Sequence, residues 1–284
     1  MSLTDAIPIW QIDAFTERPF AGNPAAVCLL DRFPADRWMQ NVAAEMNLSE
    51  TSFVVPSNQS NDLSLRWFTP ATEVDLCGHA TLAATHALIE SHRVDVSRPI
   101  RFQTRSGELV CTRDTTGITL DFPATPASNT VEPKVSDAVR NALKFDGGDV
   151  LRTQFDLMVV IDDAEVVRGL EPDFAAMHAI DTRGVIVTAA ESSGIAGRRD
   201  DFVSRFFAPR CGINEDPVTG SAHCGLAPYW AEKLGRGELI GYQASARGGT
   251  VRCRVVDDRV HLTGHAVTMF EGRLHPHAFC GKDS

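Results

Sequence analysis

The 284-residue sequence has few basic residues and no basic cluster, and it contains no long apolar run. Its 27 Lys and Arg are outnumbered by 37 Asp and Glu, which gives a formal net charge of −10. Proteins that bind nucleic acid or an anionic membrane present a basic patch, so both classes of partner are disfavoured. No stretch approaches the roughly eighteen apolar residues that a membrane helix needs. A basic segment followed by an apolar one is also absent from the start. We expect a protein with no membrane span and no targeting segment.

The sequence also lacks the motifs of common metal and cofactor sites. Its seven cysteines are scattered, with no C-x-x-C spacing, which argues against a zinc site or redox pair and favours reduced thiols in the cytoplasm. Phosphate-loop, dinucleotide-binding, zinc-protease and nucleophile-elbow motifs are missing. His223-Cys224 has no second pair of ligands at metal-binding spacing. These absences predict a protein that needs neither metal nor cofactor.

What the sequence does contain is an internal repeat of about half its length. Three blocks recur in the same order at nearly constant separation: residues 66–70 with 205–209, 102–104 with 242–244, and 120–124 with 262–266. Each half is too long to be a solenoid repeat. We therefore predict two similar halves, with a boundary near residue 126 in a segment rich in turn-forming residues. The predicted domains are residues 1–126 and 127–284.

Helical and strand patterns alternate within each half, which predicts an α+β fold. Apolar residues at helical spacing predict an amphipathic helix over 35–46, and two almost wholly apolar stretches predict matching buried helices over 79–91 and 221–234. Pro228 should bend the last of these. Predicted strands cover residues 51–55, 63–68, 101–112 and 118–122, and in the second half 240–245, 250–256 and 259–263.

Both buried helices begin with a glycine and small or polar residues. Gly78, His79 and Ala80 open the first, and Gly220, Ser221 and Ala222 open the second. The first N–H groups of a helix have no acceptor within it, and they carry partial positive charge that favours a carboxylate or phosphate. Taken singly, each sequence is better explained as a tight turn that starts a buried helix. Their recurrence at matched places favours an anion site.

Three titratable residues beside these helix starts are candidates for proton transfer. Glu50 lies next to an apolar strand, where it suits general acid–base work, although a lone Glu is more commonly solvated. His79 is placed to polarise or protonate a substrate, or only to cap its helix. Asp216 is placed to orient a substrate, while Asp-Pro is also an ordinary turn opener. Cys77 is expected to pack as a small apolar group.

The series of motifs along the chain resembles the phenazine biosynthesis PhzF-like family. The motifs are, in order, residues 13–15, 20–27, 47–51, 68–70, 75–81 and 216–223. The resemblance implies a diaminopimelate epimerase-like fold of two pseudo-symmetric halves, each with strands around a central helix, with exchange of a terminal strand between halves allowed. It also implies a homodimer and a cofactor-independent isomerase, which in the founding type acts on dihydro-hydroxyanthranilate.

By this resemblance, Glu50 moves the proton, His79, Asp216 and Ser221 line the site, and the glycine-rich helix starts hold the carboxylate of a small substrate. Two other functions stay open. An epimerase or dehydratase of the same fold would use Cys77, although the matching residue in the second half is Thr219 and not a second thiol. A non-catalytic binding module is the third hypothesis, because a fold does not fix a function.

Overall fold

The computed structural model describes residues 6–57, 61–128, 131–191 and 199–275. In these residues the helices are α1 (Asp36–Met46), α2 (Gly78–Glu90), α3 (Pro133–Leu143), α4 (Ala164–Gly169), α5 (Phe174–His178) and α6 (Gly220–Leu234), with a 3-10 turn at Pro209–Cys211. The strands are β1 (Ile7–Ala14), β2 (Asn23–Leu29), β3 (Glu50–Pro56), β4 (Asp62–Phe68), β5 (Glu73–Val74), β6 (Ile100–Thr104), β7 (Gly107–Asp114), β8 (Gly117–Pro123), β9 (Asp149–Arg152), β10 (Leu157–Val160), β11 (Val185–Ala190), β12 (Phe202–Phe207), β13 (Glu238–Gln243), β14 (Gly249–Val256), β15 (Arg259–Gly264) and β16 (Ala266–Leu274). The mixture of helices and strands confirms the α+β prediction.

The described residues divide into two compact units. The first lies within Met1–Asp121 and Thr263–Ser284, and the second within Phe122–Leu262. The C-terminal segment joins the first unit because β16 pairs antiparallel with β1. The sequence suggests a boundary near residue 126 between two halves, and this boundary stays a prediction.

In the first unit, a curved sheet surrounds the apolar helix α2. The strand order is β16-β1-β2-β3-β4-β6-β7-β8, with β5 paired to β4. Helix α2 packs against β1, β2, β3 and β16, and its small and apolar residues are buried along nearly its whole length. A helix that is apolar on all sides must be covered on all sides. The amphipathic helix α1 closes the other side of the sheet, where Met39 packs with Phe53 and Phe68.

The second unit has the same plan around α6. Its strand order is β15-β14-β13-β12-β11-β10-β9, and α6 packs against β13 and β14. Helix α6 is buried over most of its length and contains Pro228; the bend that this proline should cause stays a prediction. A second apolar core, which includes Val139, Val167, Met177 and Phe207, lies beneath α3, α4 and α5.

The two units share one pattern of strand pairing. From β1 to β7 the successive pairs β1–β2, β2–β3, β3–β4, β4–β6 and β6–β7 are antiparallel, parallel, antiparallel, parallel and antiparallel. The pairs β9–β10, β10–β11, β11–β12, β12–β13 and β13–β14 repeat this order. Helices α2 and α6 occupy the same place in it, after β4 and β12. The repeat seen in the sequence is therefore a repeat of topology.

The predicted elements agree with the structure to within a few residues, with one difference in kind. The stretch 101–112, predicted as strand throughout, is two strands, β6 and β7, that pair with each other across a turn at Arg105 and Ser106. Gly107 follows this turn with φ of +100°, a conformation that glycine adopts at little cost. In the part of the chain that is described, no helix combines the length and the apolar character that crossing a membrane requires.

Candidate functional site

Glu50 and His79 are in direct contact in the first unit. Glu50 is the first residue of β3 and His79 is the second residue of α2. Oε2 of Glu50 lies 3.0 Å from Nε2 of His79, and the two side chains are 13% and 5% exposed. Neither atom has an aligned hydrogen-bond partner among the described residues. The sequence prediction thus named two residues that the fold brings together, and both keep bonding capacity for a third group.

The other ring nitrogen of His79 faces Asn23 and Cys77. Nδ2 of Asn23 lies 3.1 Å from Nδ1 of His79, and Sγ of Cys77 lies 3.5 Å from the same atom. Ser49 donates a hydrogen bond from its hydroxyl to Oδ1 of Asn23 over 3.1 Å. The imidazole is therefore bounded by a carboxylate on one side and by an amide and a thiol on the other.

This surrounding changes the acidity of both His79 and Cys77. Burial disfavours the charged imidazole, but Cys77 and Glu50 outweigh burial, and the pKa of His79 is raised well above its ordinary value. Burial, followed by the charge of Glu50, raises the pKa of the Cys77 thiol to about 11. At neutral pH the thiol therefore keeps its proton.

Glu50, Cys77 and His79 also have the chemistry of metal ligands, since one ligand atom from each lies within 4.8 Å of the others. Glu50, however, contacts Nε2 of the ring, whereas Cys77 approaches Nδ1. A metal ion takes one imidazole nitrogen of a given histidine. The three groups as arranged form a chain through the ring and do not converge on one point, which favours proton transfer. The absence of a metal from the working protein stays a prediction.

The start of α2 adds positive potential to this cluster. Cys77 precedes the helix in extended conformation, with φ of −148°, and its side chain makes no capping hydrogen bond. The next three residues, Gly78, His79 and Ala80, carry the first N–H groups of the helix. Because these groups have no acceptor one turn earlier in the helix, they favour an anionic group near them.

In the second unit, Asp216 lies in a tightly held approach to α6. The Thr219 hydroxyl donates to the Asp216 carboxylate. Gln243, from β13, accepts the backbone N–H of Thr219 at 2.8 Å and donates to the carbonyl of Asp216 at 2.7 Å. Asp216 is nearly buried, at 9% exposure. Thr219 precedes α6 as Cys77 precedes α2, so the equivalence of these two residues that the sequence suggests holds for the local structure.

Arg183, which the sequence analysis did not single out, contacts Ser221 at the start of α6. Its Nη2 donates to the Ser221 hydroxyl over 3.1 Å. Two further hydrogen bonds, one of them 2.8 Å long, hold the guanidinium on the buried carboxylate of Asp156. A single Arg before an apolar strand gives no sequence signal of this contact, because its partners lie 27 and 38 residues away.

The predicted site residues therefore form two local groups. Glu50 and His79 meet in the first unit, beside Gly78 and Ala80. Asp216 belongs to the second unit together with Gly220, Ser221 and Ala222, and it lies close before their helix. The catalytic and binding roles of these residues stay predictions.

Comparison with known proteins identifies the family that shares this sequence and architecture. The model of the phenazine biosynthesis-like protein family (PhzC-PhzF) matches residues 12–272. An uncharacterized isomerase of Halalkalibacterium halodurans is 47% identical over 272 residues, which cover 94% of this chain and 98% of that protein. An uncharacterized isomerase of Pseudomonas aeruginosa is 47% identical over 270 residues, with 95% and 99% covered.

Solved structures agree with these relatives. The crystal structure of a PhzF-family protein from Enterococcus faecalis superposes with a TM-score of 0.85 at 41% identity, covering 95% of this chain and 100% of that one. A probable proline racemase from Agrobacterium radiobacter, only 10% identical, still gives a TM-score of 0.61. That likeness shows the fold alone, which is the diaminopimelate epimerase-like fold expected from the sequence. With a match along nearly its whole length, the chain belongs to the phenazine biosynthesis-like (PhzC-PhzF) family.

Proposed function

We propose that this protein is a cofactor-independent isomerase that shifts a proton on a small carboxylate substrate, with Glu50 as the acid–base group. The 3.0 Å contact between Glu50 and His79 at the start of the buried helix α2 carries the proposal. The names of its relatives, which include isomerases of two bacteria, support the reaction class.

The reaction is a shift of one double bond. The Glu50 carboxylate takes a proton from a carbon next to a C=C bond, and the electron pair of the broken C–H bond forms a new C=C bond one position along. The π pair of the old C=C bond then takes the proton back from Glu50 and forms a C–H bond at the far carbon. Substrate and product are isomers, so no oxidant or co-reactant is consumed. One base on one face of the substrate suffices for both transfers, whereas inversion of a centre needs a second group on the opposite face.

His79 and the helix starts stabilise the charge that develops during this shift. The raised pKa of His79, which Cys77 and Glu50 bring about against the effect of burial, keeps a proton available on the ring. The first-turn N–H groups of α2, from Gly78 to Ala80, and of α6, from Gly220 to Ala222, are donors for the substrate carboxylate or the developing anion.

Arg183 supports a binding role for the start of α6. Arg66 pairs with Phe53 in the first half, and its counterpart Arg205 pairs with Val187 in the second. Ser49 lies four residues before Phe53, and Arg183 lies four residues before Val187. Arg183 therefore occupies the place that Ser49 has in the first half. The first half thus places a carboxylate and an imidazole at its helix start, and the second half places a guanidinium and a hydroxyl. Asp216 is proposed to orient the substrate beside this second group.

Uptake of solvent deuterium tests the proposal without knowledge of the physiological substrate. The wild-type protein is incubated in heavy water with a panel of cyclic and acyclic unsaturated carboxylates, and the mass of each compound is followed. Wild type should label at least one class of compound, Glu50→Gln should lose the label, and Glu45→Gln, which changes an exposed carboxylate of α1, should keep it.

The same experiment separates the two other functions. Labelling that persists in Glu50→Gln and disappears in Cys77→Ala would support an epimerase or dehydratase that works through the thiol. Binding of carboxylates by calorimetry, without label in any of them, would support a non-catalytic binding module. Because the pKa of Cys77 is about 11, little of the thiol is ionised at neutral pH, and Cys77 is a poorer candidate than Glu50 for the base.

Assembly and location complete the proposal. The family resemblance leads us to expect a homodimer, which sedimentation equilibrium would test. A cytoplasmic location agrees with the six described cysteines, all of which are unpaired, and fractionation of the source cells would test it.

A further inference from the structure

Asn23 is a buried polar residue that the proposed mechanism does not use. It opens β2 and is 0% exposed. Gly22, just before it, has φ of +67°, and a Cβ at that position would lie 2.2 Å from the carbonyl oxygen of Ala14. Only glycine fits such a turn without strain. The backbone is therefore built to bring the Asn23 amide to one fixed place.

That place is between Ser49 and His79. The Ser49 hydroxyl donates to Oδ1 of Asn23, which turns Nδ2 of Asn23 toward Nδ1 of His79, and both distances are 3.1 Å. An amide nitrogen only donates hydrogen bonds, so Nδ1 of the ring accepts. A neutral imidazole whose Nδ1 accepts has its proton on Nε2, the atom 3.0 Å from Glu50.

We propose that Asn23 is a positioning residue that keeps the proton of neutral His79 on Nε2, the ring nitrogen that lies 3.0 Å from Glu50. The importance of this role for turnover depends on the proposed function, but the position of the proton does not. With the proton on Nδ1, the ring N–H and the Asn23 amide N–H would be two buried donors facing each other, at a cost in free energy.

The proposal concerns the neutral ring, because a charged imidazole carries a proton on both nitrogens. Among the described residues, Cys77 at Nδ1 and Glu50 at Nε2 are the titratable groups in contact with the ring. The amide of Asn23 is the group at Nδ1 that donates without carrying a charge.

Nuclear magnetic resonance of the histidine ring nitrogens tests the proposal directly. Protein labelled with ¹⁵N-histidine gives long-range proton–nitrogen correlations that distinguish the two neutral tautomers, and His79→Gln assigns the signals. Spectra are recorded above the pKa of His79. Wild type should show the Nε2–H form alone. Asn23→Leu, which keeps the size but removes the donor, should show a mixture that includes Nδ1–H.

Two controls separate the role of the amide from a general loss of structure. Asn41→Leu changes an exposed Asn of α1 and should leave the His79 signals unchanged. If Asn23→Leu does not fold, Asn23→Asp retains the shape and offers only acceptors. In that variant Nδ1 should be protonated, and its histidine titration should move to higher pH.

The results decide between the proposals. An Nδ1–H form in wild type would overturn the role of Asn23, and so would a pure Nε2–H form in Asn23→Leu. If that variant does not fold, an unprotonated Nδ1 in Asn23→Asp would do the same. Loss of the isomerase hypothesis would show differently, as an Nε2–H tautomer that is intact in wild type while no carboxylate takes up deuterium.

Discussion

Arg66 holds Glu73 through two parallel hydrogen bonds, each 2.7 Å long. Arg205 and Glu215 repeat the arrangement in the second unit, at 2.7 and 2.9 Å. Each glutamate lies five residues before the glycine that begins the central helix of its half. The same forked ion pair thus ties a strand to the approach of each candidate helix start.

Replacement of either arginine by lysine should destabilise its unit. A lysine carries the charge but not the planar fork, so Arg66→Lys and Arg205→Lys should each lower the free energy of unfolding by about 1–2 kcal/mol. Arg101→Lys, in an exposed pair with Glu108, should change it by less than about 0.5 kcal/mol. Urea unfolding of the three variants measures the difference, and equal effects would contradict it.

Glu50→Gln should lower the pKa of His79. Burial opposes the charged imidazole, and with the Glu50 carboxylate removed less remains to offset it. Because a raised pKa stabilises the fold at low pH, that stabilisation is present below the unfolded value of about 6.5 and is lost as pH rises through the folded pKa. In Glu50→Gln the loss should occur at lower pH. Titration of the ring signals checks this, with Glu45→Gln expected to match wild type.

Alkylation should discriminate between Cys77 and Cys211. Cys77 is buried with its pKa raised to about 11, whereas Cys211 is exposed. Since the thiolate is the reactive form, iodoacetamide at neutral pH should modify Cys211 well before Cys77. Peptide mass spectrometry follows both sites, and Cys211→Ser provides the blank. Rapid modification of Cys77 with loss of deuterium uptake would argue for a thiol mechanism.

His223 should make the protein sensitive to acid. Its ring is fully buried, which lowers its pKa to about 4 against a small opposing effect of the Thr219 carbonyl. Because the unfolded chain binds the proton first, the free energy of unfolding should fall by up to about 3 kcal/mol between pH 6.5 and 4.

The first half suggests the variant that tests this. Thr81 donates to the carbonyl of Cys77 at 2.6 Å, as His223 contacts that of Thr219 at 2.8 Å. His223→Thr should cost about 2 kcal/mol at pH 7 through the lost volume, and its stability should then fall less toward pH 4. His178→Thr, at an exposed site, should retain the wild-type dependence of the free energy of unfolding on pH. If His223→Thr lost as much stability between pH 6.5 and 4 as wild type does, His223 would not be the cause of the acid sensitivity.

Much of the architecture could be predicted from the sequence, because it depends on neighbours along the chain. Apolar periodicity located α1, α2 and α6 to within one residue at most ends, and matched blocks showed that the halves repeat. The one stretch predicted wrongly, 101–112, contains a two-residue turn whose signal, Ser106-Gly107, is short. Glu50 and His79 could be paired in advance only through the family resemblance.

The contacts of the candidate site were decided by tertiary structure. Asn23 could be quoted within a motif, but its hydrogen bond to His79 joins residues 56 positions apart. Arg183 gave no signal at all, since its contact with Ser221 depends on the register of β10 and β11 and on the start of α6. The sequence by itself determined where helices begin and which polar groups precede them. Strand pairing decided which of those groups meet, because a contact across the sheet follows from register and not from distance along the chain.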